Sequence, residues 1–392
     1  MRTRTLALLA ALVLGLAGCG GDDPPVKKAQ RDCTWTIGTL GALSGDYASI
    51  GQPIFQGIEY AVDEVNTSGD LPCAIELQPE DTQGDPNQAP PLARSLVDNE
   101  RVVGVVGPYF SGETLATGRI FSQADVAFIT PSATGAMIDD QGYTTFFRVV
   151  ADDAIQGDVA ARYIASLGAA TVAVVHDNQD YSKGLADAVS AGLGDAAVGP
   201  FIIDPAETDY SAVVAEVANA DPQVVFYGGY SPQAGPFLKQ LREAGVEATF
   251  ISDDGTKDAS FGDLAGPASE GTQVTCPCAD PLQIPAAKDF VEGIQARYDR
   301  PPGTFAADAY DATRLIFRAL SDLSGDEPID TVRAAVVDYL TGVDGFSGVT
   351  KHYTFSDTGQ VEIGPEGVWI YEWSQRDGDF IAVGPASELI DK

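Results

Sequence analysis

Residues 102–134, VVGVVGPYFSGETLATGRIFSQADVAFITPSAT, constrain the fold more than any other stretch of the chain. Two short apolar runs, 102–106 and 127–129, have the character of strands buried on both faces of a parallel sheet. Between them lies room for a helix of about twelve residues, the length a parallel crossover needs. Each run ends in small polar residues, 107–112 after the first and 130–135 after the second. In an open α/β sheet, ligands bind outside the carboxyl ends of the strands, where loops converge and helices begin. Ser111 is expected at the N-cap of the helix, leaving the backbone N–H groups around Gly112 and Glu113 facing the loop side. A helix start of that kind takes a carboxylate or phosphate without any basic side chain. Most such serines only cap a helix, so the anion reading depends on the rest of the chain.

The strand–helix alternation continues in both directions. A strand over 34–40, a glycine-bearing loop over 41–51 and a helix over 53–66 come first, the helix marked by Ile54, Ile58, Ala61, Val62 and Val65 at helical spacing. A strand over 74–79, a helix over 87–98 and a short strand near 146–149 complete one series. A second series runs through helix 154–166, strand 171–175, helix 183–193, strand 199–203, helix 210–220, strand 224–227, helix 232–244 and strand 249–252. After Val274 three helices are expected, near 286–298, 304–323 and 329–341. The aromatic, alternating stretches 352–355, 368–373 and 380–383 suit antiparallel edge strands. The chain therefore reads as α/β: two similar halves, each a parallel sheet with helices on both faces.

Its 392 residues suit two domains, and 44% hydrophobic against 20% charged residues supplies a sizeable core. The net charge of −34, or −36 without Arg2 and Arg4, argues against nucleic acid and against a polybasic membrane patch. Arg2 and Arg4 precede an apolar run over 6–17 that is too short to span a bilayer. Leu16-Ala17-Gly18-Cys19 then resembles the bacterial lipoprotein box. Residues 1–18 are thus expected to be a lipoprotein signal peptide, Cys19 the lipidated residue, and 19–33 a tether, which puts the protein outside the cytoplasm on a lipid anchor. Cys33, Cys73, Cys276 and Cys278 remain, an even number suited to an oxidising compartment. Cys33 and Cys73 open two strands expected to be parallel neighbours, so they can bridge. Cys276-Pro277-Cys278 could close on itself, bind a metal or do redox chemistry. With two histidines in the chain and no second cysteine pair nearby, zinc is disfavoured and a structural disulfide is the favoured reading.

The strand ends of the second half are as informative as those of the first. His176-Asp177-Asn178-Gln179-Asp180-Tyr181, Gly228-Gly229-Tyr230-Ser231 and Asp253-Asp254-Gly255 each follow a strand. His176 itself reads as an ordinary strand-end histidine. If the halves face each other, a hydroxyl-and-amide anion site meets an acidic, aromatic wall. That suits a zwitterion, with its carboxylate on one half and its ammonium near Asp254.

These residues carry a resemblance. Gly41–Gly45 with Gly51, Thr130-Pro131-Ser132-Ala133-Thr134, His176-Asp177 with Tyr181 and Gly184, and Tyr227-Gly228-Gly229-Tyr230 together resemble the leucine/isoleucine/valine-binding proteins that feed ABC importers. The similarity runs from Thr34 to near the carboxyl terminus and implies the type I periplasmic binding-protein fold: two Rossmann-like lobes joined by a three-crossover hinge. It implies lobe 1 from 34–152 plus 281–360 and lobe 2 from 153–280 plus 361–392, crossing near Asp152, Asp280 and Gln360. It further implies that Ser111 and Thr134 take the ligand carboxylate, and that Ser132, through its carbonyl, Asp254 and Thr134 take the ammonium. Tyr181 and Tyr230 would close over the ligand, with Phe305, Ile50, Tyr109 and Phe110 on the pocket wall. The family's usual cysteine bridge near Phe110 and Gly84 has no counterpart, Asp254 is a shorter acid than usual, and Ile50 stands where an aromatic is frequent. These departures bear on side-chain preference rather than on recognition of an α-amino acid.

An enzyme is disfavoured because G-x-S-x-G, H-E-x-x-H, the P-loop and a post-strand G-x-G-x-x-G do not occur. The expectation is a monomeric binding protein without cofactor or metal that captures a small amino acid, branched-chain or otherwise aliphatic, by hinge closure and delivers it to the permease subunits of an ABC importer. An amide- or urea-binding protein of the same fold, or a sensor presenting its bound state to a receptor, is the alternative.

Overall fold

The computed structural model describes residues 33–390, so the signal segment, Cys19 and nearly all of the tether lie outside the described residues, as do 391–392. The first series folds as β1 (Thr34–Gly41), α1 (Ala48–Ser68), β2 (Ala74–Asp81), α2 (Ala89–Asp98), β3 (Val102–Val106), α3 (Ser111–Gln123), β4 (Phe128–Thr130) and β5 (Phe146–Arg148). The second begins with α4 (Asp153–Ser166), β6 (Val172–His176), α5 (Asp180–Leu193), β7 (Ala197–Ile202), α6 (Ser211–Asn219) and β8 (Val224–Gly228). It continues through α7 (Ser231–Glu243), β9 (Thr249–Ser252), α8 (Phe261–Ala265) and β10 (Gln273–Cys276). Helices α9 (Lys288–Tyr298), α10 (Ala306–Leu320) and α11 (Ile329–Thr341) follow, then β11 (Phe346–Ser347), β12 (His352–Tyr353), β13 (Trp369–Ser374), β14 (Asp379–Pro385) and α12 (Ala386–Ile390).

One sheet has the order β2-β1-β3-β4-β5 with every neighbouring pair parallel. The other reads β14-β13-β10-β9-β8-β6-β7, parallel from β10 to β7 and closed on its far side by antiparallel β13 and β14. Read from its start, the parallel part of the second sheet repeats the strand order of the first. The chain passes from the first sheet to the second after β5, returns after β10 to place α9–α11 on the first, and passes back before β13. Near that last passage Gln360 adds a parallel bridge beside Arg148. This is the α/β architecture of parallel sheets flanked by helices.

The continuous apolar runs of the sequence are the inner strands: every residue of β3, β6 and β8 is buried. Helix α1 crosses α10 so closely that a Cβ on Gly57 would stand 2.1 Å from the Ala306 carbonyl oxygen, a contact only glycine permits. The register that pairs Thr34 with Ala74 sets Cys33 beside Cys73, and the two are bonded. Cys276 and Cys278 are bonded to each other at the end of β10.

Several elements differ from the sequence reading. Helix α1 starts at Ala48, ahead of Pro53, which sits inside it rather than in its first turn. Residues 352–355 do not edge a large sheet; β12 pairs with β11 in a small hairpin. Strand β10 goes unrecognised in the sequence because Gln273-Val274-Thr275-Cys276 holds too few apolar residues to signal burial, yet it lies between β9 and β13. Ser111 is the first residue of α3, not its cap: Phe110 occupies the cap position in extended conformation, and its N–H donates to the Glu113 carboxylate at 3.2 Å.

Candidate functional site

Each sheet reverses its winding between its first strand and its third, β1 and β3 in one and β6 and β8 in the other. At such switch points neighbouring loops turn away from each other and leave a crevice. The two crevices face one another. Between them Ile50, Tyr109, Phe110, Ser111, Ser132 and Phe305 from the first lobe meet Tyr181, Tyr230, Asp254 and Gly255 from the second, around a small cavity of about 20 Å³.

On the first lobe, Ser111 Oγ accepts the Gly135 N–H at 3.0 Å, which leaves its own O–H to donate. As the opening residue of α3 it also presents one of the N–H groups that a helix start leaves without an internal partner. Glu113 is buried behind this turn, where it accepts from the Thr82 hydroxyl and the Phe110 N–H. Burial pushes its carboxyl up to about 8, so it does not set a full negative charge against an incoming anion at neutral pH. Ser132 lines the space and donates to the Tyr109 carbonyl at 2.8 Å. Thr134 is not on the wall. Its carbonyl accepts from the Asp153 N–H at 2.9 Å and from Arg148 Nη1 at 3.1 Å, and its buried hydroxyl has no hydrogen bond of ordinary geometry.

On the second lobe, Asp254 Oδ1 accepts from the Tyr181 hydroxyl and the Gln156 amide, each at 2.8 Å. Asp253 accepts from the Gly229 N–H at 2.8 Å with one oxygen, and its other oxygen is buried and unpaired. Burial raises both acids, and their mutual repulsion drives Asp253 further; Asp254 stands at about 6. The groups acting most strongly on the pair are carboxylates, amides and phenols, none of them a cation. Asp153 is likewise pushed up by burial and by Asp254. A buried carboxylate without a cation is costly, so this wall is complementary to a positive group.

Four rings seal the entrance. Tyr47 and Phe110 from the first lobe meet Tyr230 edge-on at centroid distances of 5.3 and 5.4 Å, and Tyr230 rests on Tyr181 at 5.2 Å. The sequence reading named Phe110, Tyr181 and Tyr230 but missed Tyr47, an aromatic in an otherwise polar loop three residues before Ile50. Further contacts fasten the lobes: Ser49 Oγ donates to Asp258, and the Thr304 hydroxyl donates to the Lys257 carbonyl at 2.6 Å. The molecule is described in a closed arrangement. His176 uses Nδ1 to accept the Asn178 N–H at 3.0 Å and takes no part in the cleft.

A family model described as periplasmic binding protein matches residues 34–379. The chain belongs to that family. Among its relatives, the Leu/Ile/Val-binding protein of Escherichia coli (strain K12) is 33% identical over 314 residues, covering 78% of this chain and 84% of the relative. Among solved structures, a leucine-binding protein from Thermotoga maritima superposes with a TM-score of 0.81 at 25% identity, over 90% of this chain and 99% of that one. The substrate-binding protein of a branched-chain amino acid transporter from Streptococcus pneumoniae, solved in complex with isoleucine, gives 0.78 at 25% identity, over 89% and 99%. The periplasmic binding protein described here thus shares its type I architecture with proteins that bind branched-chain amino acids. No helix among its described residues is long and apolar enough to cross a membrane.

Proposed function

We propose that this protein captures an aliphatic α-amino acid (leucine, isoleucine or valine) between its lobes and passes it to the permease of an ABC importer, held outside the cytoplasm by a lipid on Cys19. It does so by binding, without chemistry on the ligand. One observation carries the reading: the α3 start with Ser111 on one lobe faces Asp254, a buried acid without a cation, on the other. An anionic group at the first and an ammonium at the second would make the ligand itself the bridge between lobes. Ile50, Phe110 and Phe305 supply the apolar part of the wall against which its side chain would pack. The ligand then stabilises the closed form by its greater affinity for it. The names of the relatives support the same ligand class.

The test is a thermal-shift and calorimetric screen of protein lacking residues 1–19, unfolded and refolded to strip retained solute. A ligand at a hundred times its dissociation constant adds about 2.7 kcal/mol of stability, a rise of several degrees. Leucine, isoleucine or valine is expected to give it. Silence from all three, with a shift from an amide or urea, would refute the ammonium role of Asp254 while keeping the fold.

A further inference from the structure

Gln156 lies fully buried in the first turn of α4. Its amide nitrogen faces three acceptors: Asp254 Oδ1 at 2.8 Å, Thr275 Oγ1 at 3.1 Å and the Thr275 carbonyl at 3.2 Å. Helix α4 is the first element after the first passage between sheets. Thr275 precedes the Cys276–Cys278 bond, where the second passage begins. A single amide therefore joins both passages to the acid that lines the cleft. Its two N–H groups are fully used, whereas Gln156 Oε1 is buried with no hydrogen-bond partner. A native fold seldom strands such an atom unless something else supplies a donor.

We propose that Gln156 is the positioning residue of the ammonium subsite: it fixes the Asp254 carboxylate in orientation and in its ionised form, and ties that geometry to both hinge passages. That the subsite takes an ammonium rests on the amino-acid reading; the hold on Asp254 does not. Around Asp254, Asp253 stands beside it, Asp153 lies on α4 three residues before Gln156, Tyr181 comes from α5 and Tyr230 from the turn before α7, while Arg148 of β5 acts on Asp153. Burial disfavours a charge on Asp254, and Asp254 in turn raises Asp253 and Asp153. The Gln156 and Tyr181 hydrogen bonds favour the charge on Asp254.

The test uses Gln156→Met, which keeps the volume and removes the donor, with Gln156→Asn, too short to span both partners, as the second variant. The first readout is the stability of the ligand-free protein from pH 4 to 8. The folded-state pKa of Asp254 lies above its unfolded value, so its contribution is full at low pH and is lost as pH rises through about 6. In Gln156→Met that loss is expected to extend upward by about one pH unit, and to vanish when Asp254→Asn is added. The second readout is leucine affinity. With the Asp254 ionisation moved up one unit, binding at pH 5.5 falls on the order of tenfold further than at pH 8. An unshifted stability profile in both variants, or a shift that survives Asp254→Asn, overturns the proposal. If the wild type ignores leucine, the amino-acid reading falls and the ligand-free profile still decides the role of Gln156.

Discussion

The acidity of the cleft predicts how affinity changes with pH. Asp254 in the empty protein stands at about 6, raised by burial and only partly relieved by Gln156 and Tyr181. An ammonium needs the ionised form, and its arrival lowers the carboxyl further by pairing. A free amino acid keeps its zwitterionic form from pH 5 to 8, so the titration belongs to the protein. At pH 8 nearly all molecules are ready; at pH 5 about one in eleven is, and binding should weaken by about elevenfold. Because Asp254 must ionise to pair, about one proton leaves per ligand near pH 5. Isothermal titration calorimetry with leucine, in buffers of different ionisation enthalpy, reads both quantities. Asp254→Asn should flatten the profile and weaken binding at pH 8 by roughly ten- to a hundredfold, the cost of a charge-assisted hydrogen bond. A dissociation constant that is flat from pH 5 to 8, or that tightens toward pH 5, would refute the pairing.

Two further outcomes test the first lobe. Ser111→Ala removes the hydroxyl but keeps the backbone N–H of the helix start, and should weaken leucine binding by about 1–3 kcal/mol while leaving the pH slope in place. Tyr47→Ala removes edge contacts to Phe110 and Tyr230, each worth about 0.5–1.5 kcal/mol beyond area, and should speed ligand release several-fold in stopped-flow fluorescence.

What could be read from the sequence followed burial on both faces. The runs that became β3, β6 and β8 are continuous and β-branched, and a strand of that kind has few other places to go. The loops after them could be ordered along the sheet edge because the side of the sheet on which a ligand binds follows from strand direction. Side-chain partners could not be read in the same way. Ser111 looks like a cap in one dimension, and only the reach of Glu113 back to the Phe110 N–H shows that the cap lies one residue earlier. Gln156 carries no signal at all, since an amide in the first turn of a helix is ordinary until the fold brings β9 and β10 beside it. Arg148 is similarly silent. It is fully buried at the end of β5 and bonded to Asp139, Gln360 and two carbonyls, a role that depends on strands far apart in the chain.

Residues 253–258 serve both the cleft and the contacts between lobes. One hexapeptide contains the acid that faces the cleft, the Lys257 carbonyl that accepts from Thr304, and the Asp258 carboxylate that takes the Ser49 hydroxyl. Tasting and fastening are therefore done by the same six residues. A solute that fills the space but leaves Asp254 unanswered forgoes the pairing that would favour the closed form, so it would hold the molecule shut less firmly. Selectivity in such a device is expressed as posture: two solutes of equal occupancy would differ in how wide the mouth stands, and a partner that feels only the outer surface could tell them apart.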